Sequence, residues 1–243
     1  MISAISIVAV GCGSTTGATT DEVVISAAAS LTDLFTEMER AYEADHPPID
    51  LILNFGGSST LREQIIEGAP VDVFASADQG NMALLVDRGL LDDDPVVFAT
   101  NRMTIAVAPG NPGGVSGLAD LGDESLLVGL CAEEVPCGRL AREVLSNADV
   151  QPAIDSDEPD VRALLGKIEV GELDVGLVYV TDVEASDGRV EGIAISSDVN
   201  VSTEYPIAIL DGTSNRSAAA DFVEWVLGDV GRQIIGDNGF GLP

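Results

Sequence analysis

After Asp21 the sequence alternates short apolar runs with amphipathic stretches, and few folds accommodate that alternation. Residues 23–29, 49–55 and 71–77 read as strands, and 31–45, 59–69 and 80–90 as the helices between them. A second set follows, with strands predicted at 102–109, 125–131, 174–180, 190–196 and 202–210. Its helices are predicted at 137–148, 159–173 and 217–235, the last a single long one. Strand–helix alternation implies βαβ units, and so an α/β architecture of two lobes, each a mainly parallel sheet flanked by helices. No Pro/Ser/Gly linker separates the lobes, so strands crossing near 100–104 and 203–207 are expected to join them. Lobe 1 is then 22–101 with 206–243 and lobe 2 is 102–205, with a hinge and a ligand cleft between them.

Composition narrows the function. The chain has 243 residues, 46% of them hydrophobic, enough for a large core. Asp and Glu number 41 against 11 Lys and Arg, a net charge of −30 that repels nucleic acid and acidic membrane surfaces. Lys167 is the only lysine, and the acidic residues are spread along the chain, as on a solvated surface suited to salty surroundings. His46 is the only histidine, and without paired His or Cys ligands a protein-held metal site is not expected.

The N-terminus carries its own signal. An apolar run at 2–10 leads into Gly11-Cys12-Gly13 and a Thr-rich stretch. Ala9-Val10-Gly11-Cys12 resembles a lipobox, although Ala9 stands where leucine is usual and no basic residue precedes the run. The expectation is a lipoprotein-like signal peptide over 1–11, lipidation at Cys12 and a tether over 12–21; the alternative is a buried N-terminal strand. An exported protein anchored in this way would touch the membrane only through its lipid. Cys131 and Cys137 then remain as an even pair, six residues apart across a strand end and a turn containing Pro136. They form either a disulfide or two buried thiols.

Catalytic patterns are poor. His46 is followed by Pro47-Pro48, and no G-x-S-x-G elbow exists. Gly56-Gly57-Ser58-Ser59-Thr60 lacks the lysine of a phosphate loop, Asp92-Asp93-Asp94 reads as a solvated loop, and 236–241 is a glycine-rich tail. Anion binding is better served. Helix N-termini offer unpaired N–H groups and partial positive charge without any basic side chain. Ser30 and Ser58 fall at strand–helix junctions, where they are expected as N-caps at the carboxyl ends of parallel strands. In the second lobe Cys137 and Val161 fall in the first turns of helices, where their backbone N–H groups have no intrahelical acceptor. Tyr179 ends a strand and either brings a hydroxyl to the cleft or fills the core.

At these residues the chain resembles the molybdate-binding proteins of molybdate ABC importers. The matching pieces are VISAAASLTDLF (24–35), GGSSTLREQIIEGAPVDVFASAD (56–78), EVPCGRLAREVL (134–145), DVRALLGKIEVGELDVGLVYVTD (160–182) and YPIAILDG (205–212). They occur in order over nearly the whole chain after Asp21. The resemblance implies a type II periplasmic-binding fold that clamps a tetrahedral oxyanion, with ligand contacts at Ser30, Ser58, Cys137, Val161 and Tyr179. It also implies molybdate or tungstate as ligand, no cofactor, an ABC permease and its ATPase as partners, and a monomer. Many relatives carry alanine where Cys137 stands, which leaves the backbone donor intact. The competing readings are a sulfate or other oxyanion receptor, a sensory or structural lobe of the same fold, and, distantly, a hydrolase or transferase using Ser58.

Overall fold

The computed structural model describes residues 21–243. The signal peptide, Cys12 and the tether expected at the N-terminus lie outside the described residues, except Asp21, which opens the first strand rather than ending a tether.

The first half begins with β1 (Asp21–Ala28), α1 (Thr32–Asp45), β2 (Ile49–Gly56), α2 (Ser58–Ile66), β3 (Val73–Ala75) and α3 (Gln79–Val86). β1 lies between β2 and β3, parallel to both, and helices cover the sheet. Its Val23, Ile25, Ala27 and Ala28 are all buried, which accounts for a continuous apolar run instead of an alternating one. β4 (Val96–Val107) follows, six residues longer at its start than the strand expected from 102. Its outer half, through Arg102, pairs with β9 (Ser202–Ile209), and from Met103 onward it pairs with β7 and β8. One long strand therefore serves both halves.

The second half comprises β5 (Val128–Cys131), α4 (Pro136–Asn147), β6 (Ile154–Glu158), α5 (Val161–Glu169), β7 (Val175–Tyr179), the short α6 (Val180–Glu184) and β8 (Glu191–Ile193). The strand order along the whole sheet is β2-β1-β3-β9-β4-β7-β5-β6, with β8 attached to β4. The pairings are parallel within each half's βαβ units and antiparallel where β4 and β9 meet their neighbours. One core gathers Phe35, Tyr42, Phe98, Tyr205 and Phe222; another gathers Met103, Leu130, Val144, Leu164 and Leu177.

Two expectations need correction. The long helix expected over 217–235 is two, α7 (Arg216–Leu227) and α8 (Asp229–Asp237), parted at Gly228, whose extended backbone (φ −78°, ψ −179°) interrupts the helical ladder. β6 was not expected at all. Its sequence, Ile-Asp-Ser-Asp-Glu, shows no apolar alternation because it is the last strand of the sheet, where charged side chains blunt an open edge.

Candidate functional site

The carboxyl ends of β1 and β2 face those of β5 and β7 across a small cavity. Ser30, Gly57, Ser58 and Ala77 line it from the first half, and Cys137, Val161 and Tyr179 from the second. All five residues singled out in the sequence therefore meet in one place. The cavity measures about 10 Å³, far below the usual range for organic ligands, so only a small species has room there. Among the described residues that line it, none is Lys, Arg or His.

Each donor is built by its local chain. Ser58 is the first residue of α2, one position later than the N-cap role expected of it, which Gly57 takes. The Ala77 N–H donates to Ser58 Oγ at 3.0 Å, which occupies a lone pair and leaves the hydroxyl proton to point elsewhere. Ser30 is likewise not an N-cap. It sits inside a 3₁₀ turn (Ala29–Leu31) that precedes α1, is nearly fully buried, and its Oγ lies 3.1 Å from Tyr205 Oη.

In the second half α4 begins with Pro136 at its first position, which fixes the helix entry and places Cys137 in the first turn. The first intrahelical bond there comes from Arg139 N–H to Val135 C=O, so the amide of Cys137 precedes the ladder. Cys137 is disulfide-bonded to Cys131 at the end of β5, with the Cα atoms 5.8 Å apart, tying the loop that presents this amide to the sheet. Val161 opens α5 behind its cap Asp160, whose carboxylate accepts from the N–H groups of Arg162 and Ala163, both at 2.9 Å. The Val161 N–H is left for the cavity. Tyr179 is fully buried at the junction of β7 and α6, and its Oη has no hydrogen-bond partner. Burial pushes its pKa well above that of a free phenol, so the hydroxyl keeps its proton.

Ion pairs bridge the two halves beside the cavity. Arg139 of α4 meets Asp78, the N-cap of α3, and Arg162 of α5 meets Asp33 of α1. Arg162 Nε also lies 3.5 Å from the buried Asp182.

The site thus consists of first-turn amides and neutral hydroxyls, all able to donate, around one small space. Such a set binds an anion through its oxygens. A family model for bacterial extracellular solute-binding proteins matches residues 23–241. The chain belongs to this family. It is 37% identical over 221 residues to the molybdate-binding protein ModA of Mycobacterium tuberculosis, covering 91% of this chain and 85% of that one. It is 30% identical over 238 residues to a putative ABC transporter substrate-binding lipoprotein, YvgL, of Bacillus subtilis, covering 95% and 92%. Among solved structures, the substrate-binding domain of a putative molybdenum ABC transporter from Clostridium difficile superimposes with a TM-score of 0.68 at 29% identity, over 91% of this chain and 99% of that one. The resemblance read from the sequence and the two-lobed binding-protein fold it implied both hold.

Sequence reasoning does not reach the residues behind the cavity-lining donors. Tyr205 falls in a predicted strand and a matching segment, and Ala77 and Asp160 in matching segments, none with a role of its own; their contacts link positions 19 to 175 residues apart or close a cap. Asp160 just before a first-turn residue is the one signal that capping preferences supply.

Proposed function

We propose that this solute-binding protein captures the molybdate dianion outside the cytoplasm and hands it to an ABC permease and its ATPase. The observation that carries the reading is the convergence of Ser30, Ser58 and Tyr179 hydroxyls with the amides of Cys137 and Val161 on a cavity without a cation. A fully ionised oxyanion offers only acceptors, so a donor-only shell matches it without any basic side chain. Tungstate, of the same shape and charge, is taken by the same shell. The names of the relatives from M. tuberculosis and C. difficile point to the same ligand.

The ion is gripped between residues 22–101 with 206–243 on one side and 102–205 on the other, a division supported by the change of β4 partners at Arg102 and Met103. The protein acts as a monomer held at the membrane by a lipid on Cys12, a reading supported by the lipobox-like sequence and the lipoprotein name of YvgL. Among the described residues no helix is long and apolar enough to cross a membrane. It carries out no reaction on its ligand.

Calorimetry of the soluble domain against molybdate, tungstate, sulfate and phosphate tests the reading. Tight binding of the first two, with sulfate much weaker, is expected, because sulfate is too small to touch both halves. Ser58→Ala removes a hydrogen bond to a charged group and is expected to cost about 1.5–3 kcal/mol, and Ser30→Ala the same. At about 100 times Kd the wild type gains about 2.7 kcal/mol, roughly 5–10 °C in melting temperature for this size. Equal shifts with sulfate at matched ionic strength would replace molybdate by a general oxyanion; no shift with any tetrahedral anion would reject the function.

A further inference from the structure

Behind Ser30 lies a buried chain of polar groups, Tyr205, Asn101 and Thr181, that are not among the residues lining the cavity. Ser30 Oγ is 3.1 Å from Tyr205 Oη, and Tyr205 Oη is 3.5 Å from Asn101 Nδ2. Asn101 Nδ2 also donates to Thr181 Oγ1 at 2.9 Å. All four residues are buried, and they come from the 3₁₀ turn, β9, β4 and α6.

The direction of these bonds can be worked out. The Arg102 N–H donates to Asn101 Oδ1 at 2.9 Å, so the amide oxygen is engaged on that side and the NH₂ group faces Thr181 and Tyr205. An amide NH₂ only donates, so toward Asn101 the Tyr205 oxygen is an acceptor. Its own proton then needs an acceptor, and the hydroxyl oxygen within hydrogen-bond distance is Ser30 Oγ. Acidity gives the same answer independently, since a phenol is a far better donor than an aliphatic alcohol, and burial keeps the Tyr205 phenol protonated. The ring cannot swing away: Phe98, Tyr179 and Phe240 meet it edge-on at centroid distances of 6.4, 6.0 and 5.6 Å. Ser30 Oγ therefore accepts from Tyr205 and turns its proton to the cavity. Ser58 is set the same way by the Ala77 amide.

We propose that Tyr205, oriented by Asn101, is a specificity-determining positioning residue: it fixes Ser30 as a donor, so the site takes tetrahedral dianions that carry no proton and rejects those of equal charge that carry one. The inference rests on the oxyanion reading and adds a criterion beyond size and charge. Donor meeting donor leaves a buried O–H unpaired, the kind of mismatch on which strong discrimination is built.

Selenate and hydrogen arsenate separate this criterion from the others, because both are tetrahedral, nearly equal in size and doubly charged at about pH 8, and only the second carries a proton. Calorimetry of the wild type, Tyr205→Phe and Asn101→Asp with these two anions and molybdate, beside thermal melts of each apo protein, is the test. The wild type is expected to prefer selenate over hydrogen arsenate. Tyr205→Phe frees a lone pair on Ser30 and is expected to narrow that preference about tenfold, the order of one hydrogen bond. Asn101→Asp makes Tyr205 donate away from Ser30 and should narrow it further; its added charge penalises both dianions alike and cancels in the ratio. Weakening of both anions by the same factor in both variants would overturn the relay while leaving molybdate capture intact. A wild type that binds molybdate but neither prefers nor distinguishes the two probes would overturn it as well. A wild type that binds none of the three would overturn the oxyanion reading, and the relay with it.

Discussion

Gly57→Ala is expected to leave the apo protein folded and to weaken molybdate binding by roughly a hundredfold. Gly57 has φ −60° and ψ 133°, an extended conformation that alanine adopts without strain. A Cβ built there would lie 2.7 Å from the Pro159 carbonyl oxygen and 3.1 Å from Val135 Cγ1. Pro159 and Val135 belong to the second half, while Gly57 caps a helix of the first. The methyl group therefore obstructs neither half alone and meets resistance only when the two come together on the ligand. Overpacking typically costs about 1–3 kcal/mol, and here the whole cost falls on closure, hence on affinity. Gly138 makes the contrast. A Cβ there would lie 1.9 Å from the Ala132 carbonyl oxygen, within its own half, so alanine at 138 is expected to lower the melting temperature of the apo protein itself. Calorimetry beside apo melts distinguishes the two. An unchanged molybdate affinity in Gly57→Ala would mean that the halves do not approach this closely around the ion.

Contacts between segments distant in sequence decide what the sequence could and could not convey. The β1 run Val23–Ala28 and the helix openings at Ser58 and Pro136 are written in local residue types: apolar continuity, a glycine pair, a first-turn proline. From these the alternating fold and its helix openings could be anticipated, while the meeting of five groups at one cavity was implied by the family resemblance. The features missed are those that need a partner distant in sequence. Ser30 looks like an N-cap by position, but its hydroxyl is engaged by Tyr205, 175 residues away. β6 is a strand because β5 supplies a ladder at its side, not because Ile-Asp-Ser-Asp-Glu prefers one. Gly228 divides a segment whose apolar pattern reads straight through, since periodicity does not register a backbone that turns extended for one residue.

Asp182 is another such residue, and its substitution by asparagine is expected to stabilise the protein strongly above neutral pH and little in acid. It lies in the first turn of α6, completely buried, with Oδ2 accepting the Tyr179 N–H at 3.1 Å. Its Oδ1 makes no hydrogen bond; Arg162 Nε stands 3.5 Å off, and Arg162 is shared with Asp33. Burial pushes the carboxyl up to about 7; Arg162 and the Tyr179 amide pull it down, and Asp33 and Asp160 push it further up. In the unfolded chain an aspartate titrates near 3.9. Between about pH 4 and pH 7 the folded state therefore holds a proton that the unfolded state has lost. The stability this brings is complete below about pH 4 and is lost as pH rises through about 7. A gap of about three units corresponds to roughly 4 kcal/mol at most. Asparagine keeps an acceptor for the Tyr179 amide and carries no charge at any pH, so Asp182→Asn should recover about 2–4 kcal/mol at pH 8. That is a rise of roughly 5–10 °C for a chain of this size. At pH 4, where Asp182 is itself neutral in the native state, the two proteins should melt nearly together. Comparing the two at each pH removes the contribution of the many other carboxylates, which are common to both. A difference in melting temperature that does not change between pH 4 and 8 would mean that Asp182 is ionised throughout, its charge held by Arg162 in spite of burial.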